Sequence, residues 1–203
     1  QFEVLARVLT ECAAALARVP LKRPVEQVPV VSLMGEIFVR RDGLSRQYLT
    51  EQLADKGFAT VCAPVAEWVL YSDYLVQKGL SDPIPKNWRK RINGRIKQLF
   101  MSKDERRIKK ILSASGLVHA APLRIASVID TAKPYISPHL GGEAILTVGS
   151  AIQEVASHSC GVIAIGPFGC MPNRLAEAIL NEAMKREDKL ASEPDNPRLR
   201  TVL

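Results

Sequence analysis

The sequence predicts an α/β fold: a mostly parallel, Rossmann- or flavodoxin-like sheet with helices on both faces, carrying a basic helical insertion. Three observations point there. Short apolar, β-branched runs at residues 28–34, 58–62 and 161–165 read as buried parallel strands. Each is followed by a turn and then by a segment whose apolar residues recur at helical spacing, which is the rhythm of strand–loop–helix units. The positive charge is also gathered in one segment, so the basic part stands apart from the α/β core. Between Lys86 and Lys110 eleven Lys and Arg face only Asp104 and Glu105, a local balance of +9, and the chain's net +7 leaves the rest at −2.

The elements follow in order. Residues 1–19 carry Val4, Leu5, Val8, Leu9, Cys12, Leu16 and Val19 at helical intervals, and Pro20, Pro24 and Pro29 punctuate a connector. Residues 1–27 are therefore read as an N-terminal helix and connector, and 28–203 as the α/β lobe. The first strand ends at Gly35. Ser45 is the expected N-cap of a helix over 46–56, closed by Gly57. The second strand, 58–62, leads to a helix over 66–78 that Gly79 stops. Pro83 and Pro85 break the chain, and then Trp88, Ile92, Ile96, Leu99 and Phe100 recur helically with cations on the other faces. Ser102-Lys103-Asp104-Glu105 fits a capping box and predicts a second basic helix ending near Gly116, the pair forming an insertion at about 81–116. A short helix over 123–132, turns over 133–142 and an apolar helix over 143–157 precede the third strand. Pro172 stands at the start of a last helix running to about Lys189.

Composition is that of an ordinary globular protein, 47% hydrophobic and 24% charged over 203 residues, enough for one substantial core. Gln1 is not a Met, and Thr201-Val202-Leu203 reads like the start of another strand, so the chain is expected to be part of a larger polypeptide. Residues 1–20 carry Glu3, Arg7, Glu11 and Arg18 and do not resemble a signal peptide. The longest stretch without charged side chains, 155–173, is interrupted by serines, glycines and prolines and is a poor membrane span. Four cysteines without CxxC spacing read as reduced thiols, which places the chain in the cytoplasm.

Three loops, 35–43, 62–67 and 166–171, are expected at the carboxyl edge of the sheet, where ligands of open parallel sheets bind. The substrate- or partner-facing residues are Gly35, Glu36, Arg40, Arg41 and Asp42 in the first loop and Gly166, Pro167, Phe168 and Gly169 in the third. Adjacent Arg40 and Arg41 suit a forked hold on phosphate or carboxylate, against a plain reading as an exposed, capped loop. Cys170 lies just ahead of a helix, whose N-terminus favours a thiolate and suits metal ligation, against a reading as an inert turn cysteine. Cys62 ends its strand on the same side and is the second metal candidate, against core packing. Cys160 falls at the other end of the third strand, and Cys12 is read as structural. Neither a GxxxxGK[ST] phosphate loop nor a G-x-S-x-G elbow is present, and His119, His139 and His158 form no ligand set. The basic helices attract phosphates by charge, but Trp88 and Phe100 fall on the apolar side, so core packing is expected rather than nucleic-acid binding.

Read together, four motifs carry a resemblance. Gly35-Glu36-Ile37-Phe38-Val39-Arg40-Arg41-Asp42, Ala63-Pro64-Val65-Ala66-Glu67-Trp68, Gly142-Glu143-Ala144-Ile145-Leu146-Thr147-Val148-Gly149 and Gly166-Pro167-Phe168-Gly169-Cys170-Met171-Pro172 occur in order over about residues 28–180. In them the chain resembles the acyl-CoA dehydratase activase-related proteins, within the region similar to 2-hydroxyacyl-CoA dehydratase subunits. The resemblance implies an iron–sulfur cluster-binding, electron-transfer lobe of a larger protein that activates or reduces CoA-ester dehydratases in anaerobic metabolism. It implies Cys170 as a cluster ligand, other lobes of the same chain and a CoA-ester dehydratase or reductase as partners, and neither nucleic acid nor membrane. An all-thiolate cubane takes four cysteines, and this piece offers one good candidate, Cys170, and one doubtful one, Cys62, so alone it is expected to be inactive and without a cluster. The other reading is a non-catalytic docking domain that recruits a partner through its basic helices.

Overall fold

The computed structural model describes residues 2–80, 88–118, 122–157 and 159–184. Two compact units emerge: Gln1–Val25 with Asp73–Arg124, and Glu26–Ser72 with Ile125–Leu203. Each is described by itself. The expected helix end at Lys189, the strand-like 201–203, Pro83, Pro85, His119 and His158 lie outside the described residues.

The first unit is built on α1 (Phe2–Leu16) and a long α5 (Trp88–Ser113), which pack together. Arg107 ties them: its Nη2 meets Glu3 Oε1 at 2.9 Å and its guanidinium stacks 4.3 Å above the Phe2 ring. The sequence reading placed a helix boundary at Ser102, and the structure corrects it, since α5 runs unbroken through 102–105. The reason lies in Glu105. A capping box needs that carboxylate to reach back to the capping residue's N–H, but Glu105 instead accepts from Leu123 N–H at 3.0 Å and pairs with Lys109 at 3.2 Å. A second correction concerns the apolar residues of this helix. Ile96, Leu99 and Phe100 are exposed rather than packed. Cys12, expected in the apolar seam of α1, is exposed as well.

The second unit holds a sheet of three parallel strands in the order β2-β1-β3, so the α/β class is observed. The strands are β1 (Val30–Gly35), β2 (Ala59–Cys62) and β3 (Gly161–Ile165). Val30 pairs with Ala59 on one side, and Val31 pairs with Gly161 on the other. Every residue of β1 is buried, which is why its run is apolar and β-branched without alternation. The core continues into α6 (Ile125–Ala132) and α7 (Ala144–Ser157), which pack on each other, α7 also lying against β1 and β3. In α6 the buried residues are Ile125, Val128, Ile129 and Ala132, one helical face. The last helix, α8 (Met171–Ala183), packs on α7 and β3.

Two local readings change. Residues 35–43, expected as a loop, contain a short α2 (Ile37–Arg41) capped by Glu36, whose Oε2 accepts from Val39 N–H at 2.7 Å. Ser45 does not cap a helix. Its N–H is taken by Asp42 Oδ2 at 2.7 Å, and Gln47 and Tyr48 then adopt left-handed backbone, so α3 (Leu49–Asp55) begins only after them. By contrast α4 (Ala66–Lys78) has the bounds its apolar spacing predicts.

Candidate functional site

The carboxyl edge of β1 gathers polar groups from α2, α4 and α7. Arg40 is buried at 5% exposure and donates Nη1–H to the Gly35 carbonyl at 2.7 Å, while its Nε has no hydrogen-bond partner. Glu67, in the first turn of α4, is 3% exposed, and its Oε2 is likewise unpartnered. Glu143 stands just ahead of α7. Gly35, Arg40, Glu67, Trp68, Glu143 and Thr147 line a pocket of about 10 Å³, room for a single water and far too little for a nucleotide or a CoA ester.

Burial dominates the electrostatics. It pushes the Glu67 carboxyl up to about 7, against the attraction of Arg40 and the nearby Ser150 hydroxyl, and with the repulsion of Glu143 and Glu154 adding to it. Ser150 is close enough to favour the anion, yet its Oγ and Glu67 Oε2 do not form a well-directed hydrogen bond. Glu143 is also raised, first by burial and then by Glu36, with Arg40 opposing. Asp42, half-buried, is lowered by the Ser45 hydroxyl and N–H. The chemistry of this cluster is that of a buried acid that changes charge near neutral pH beside a fixed guanidinium.

Of the loop residues expected to face a ligand, Arg40 turns inward and Arg41, though exposed, is held by the lobe's backbone. Arg41 Nη2 donates to the Ala63 carbonyl at 3.0 Å, so both guanidinium groups join backbone segments of the lobe. Gly35 adopts φ +100°, and a Cβ there would collide with the Ile165 carbonyl; Gly166 makes room for the Asn173 side chain in the same way. Asn173, in the first turn of α8, thus wedges between the ends of β1 and β3. There Glu36 N–H donates to the Ile165 carbonyl at 2.9 Å.

The third loop faces outward. Phe168 is 99% exposed and Met171 is exposed, flanking a half-buried Cys170 that caps α8 through its backbone without a side-chain cap bond. Cys62 is half-buried, and its thiol donates to the Arg40 carbonyl at 3.4 Å. The strand order sets β2 and β3 on opposite sides of β1, about 10 Å apart, so Cys62 and Cys170 do not share one corner of the edge. Cys160 lies ahead of β3, its thiol on the Val30 carbonyl at 3.1 Å. Among the described residues no three His, Cys, Asp or Glu side chains converge as a metal site. A four-thiolate cluster does not fit the cysteines of this chain by themselves.

No family model, curated protein or solved structure matches the chain.

The sequence reading singled out neither Glu67 nor Asn173 as a site residue. Glu67 had only a partial signal, since Leu70 and Tyr71 at i+3 and i+4 share its face of α4, and the structure buries all three. Asn173 had none, because its role depends on where two distant glycines meet. Among the described residues, no helix is long and apolar enough to cross a membrane.

Proposed function

We propose that this chain is a lobe of a larger, cytoplasmic activase-related protein of the 2-hydroxyacyl-CoA dehydratase-like kind. In that reading the lobe belongs to a low-potential electron-transfer system and presents a single thiolate, Cys170, to an iron–sulfur centre whose other ligands come from a facing lobe. The observation that carries it is the third loop. Cys170 caps α8 through its backbone, leaving its thiol out of the cap, at the carboxyl edge between two exposed apolar side chains that another surface is needed to cover. The order β2-β1-β3 is how flavodoxin-like sheets begin, which supports a Rossmann- or flavodoxin-like lobe with its ligand edge at the ends of β1 and β3.

Isolated, the lobe offers Cys170 as its one good candidate ligand and is expected to carry no cluster, and its partners are the other lobes and a CoA-ester dehydratase or reductase. The test is anaerobic expression of the parent protein with iron and sulfide analysis. Cys170→Ser lowers bound iron and slows electron transfer, whereas Cys160→Ser, at the far end of β3, leaves both at the unmutated level. Unchanged iron and unchanged reduction kinetics in Cys170→Ser would reduce that residue to a turn former and remove the reading.

A further inference from the structure

Among the described side chains, α5 exposes a stripe over residues 96–110. The N-terminal part of this stripe is apolar: Ile96, Leu99 and Phe100 are 47%, 69% and 64% exposed. Its second part is cationic, with Lys103, Arg106 and Lys110 exposed. Positions 96, 99, 103, 106 and 110 alternate steps of three and four, the spacing of the core positions of a helix that packs lengthwise on another helix. They extend over about 21 Å of helix. Ile108, Ile111 and Leu112 are only partly exposed, so the stripe is distinct from the covered side. Arg107 is already engaged by Glu3 and the Phe2 ring.

We propose that this stripe docks an acidic amphipathic helix of a partner protein, which sets apolar side chains on Ile96, Leu99 and Phe100 and carboxylates opposite Lys103, Arg106 and Lys110. Charge selects the partner's sign, because α5 carries ten Lys and Arg against Asp104 and Glu105. The segregation of the two chemistries along the axis selects its kind. A helix lying in a lipid surface keeps an apolar face along its whole length with cations on the other side. Here, among the described side chains, apolar residues at 96–100 give way on the same face to cations at 103–110. A nucleic-acid duplex would neutralise the cations and leave Leu99 and Phe100 uncovered. A second helix with matched halves covers both. Phe100 and Arg106 are also of the residue types enriched where proteins meet one another.

The probe is a synthetic labelled helical peptide with Leu at successive heptad core positions followed by Glu at the next core positions, titrated into the full chain by fluorescence anisotropy. A scrambled peptide of the same composition, mixed-sequence duplex DNA and phosphatidylcholine–phosphatidylserine vesicles are run beside it. The patterned peptide binds about tenfold or more tighter than the scrambled one. Leu99→Glu with Phe100→Glu weakens it about tenfold and keeps the salt dependence. Lys103→Glu, Arg106→Glu and Lys110→Glu together weaken it similarly, abolish the salt dependence, and are rescued by a peptide with Lys in place of its Glu. All these side chains are exposed, so the substitutions leave the packing of α5 intact. Equal binding of patterned and scrambled peptides, indifference to either set of substitutions, or tighter binding to the DNA or the vesicles overturns the proposal.

Discussion

Replacing Glu67 by Gln tests the electrostatics of the buried cluster directly. Burial raises the carboxyl from its ordinary 4.5 to about 7 in the folded chain, while an unfolded chain returns it to water. Between those two values the native state holds a proton that the unfolded state has released. Folding stability therefore falls as pH rises through that window and levels off above about 7. The distance between the two values corresponds to about 3 kcal/mol at full extent. Glutamine keeps the shape and cannot ionise, so Glu67→Gln is expected to lack this slope and to be the more stable protein at pH 8 by about that amount. Glu143, raised in the same direction, and Asp42, lowered, also bend the curve, so the informative quantity is the difference between the two proteins. Urea unfolding followed by the fluorescence of Trp68, which lines the same pocket, supplies it at each pH. Stability curves for the two proteins that run parallel from pH 5 to 8 would refute a buried, proton-holding Glu67.

Arg40→Met removes the cation that favours ionised Glu67 and the donor to the Gly35 carbonyl. It is expected to destabilise by about 3 kcal/mol at pH 8 in urea titration, and by clearly less at pH 5, where the carboxyl is neutral. Gly149→Ala should lose about 1–2 kcal/mol by the same assay although alanine is the better helix former, because its Cβ would run into the Val128 carbonyl where α6 and α7 touch. Ser32→Ala should be neutral or stabilise by about 1 kcal/mol in thermal unfolding, since the Ser32 hydroxyl is fully buried in β1 without a partner.

Signals that depend on near neighbours were legible without coordinates. β1 announced itself because a strand covered on both faces has no reason to alternate, whereas β2 and β3, expected buried by the same signal, are partly exposed at the sides of the sheet. β3 has the predicted bounds, and β1 and β2 differ only at their ends. α4 likewise follows from apolar spacing closed by Gly79. Where the reading went astray, two local signals competed and a distant contact decided between them. The Ser102–Glu105 box was outweighed when Glu105 found Leu123 N–H and Lys109, whereas at Ser45 the outcome was local: Asp42 takes its N–H and α3 starts only after the left-handed Gln47 and Tyr48. The loop arginines offered a fork for an anion, yet backbone carbonyls at Gly35 and Ala63 claimed them.

The sequence by itself determined the class of the fold, the three strands, the helices between them and the loops that close the carboxyl edge. It also determined the concentration of positive charge in α5. Tertiary structure alone decided the strand order, and with it that β1 separates Cys62 from Cys170. It alone set Asn173 between Gly35 and Gly166 and enclosed Glu67 beside Arg40. The physical reason is the range of the interactions. Backbone propensity, capping and apolar periodicity act over a few residues, so they can be read along the chain. Desolvation of a carboxyl, the reach of a guanidinium and the separation of two thiols depend on groups tens of residues apart, and exist only once the sheet has ordered them in space.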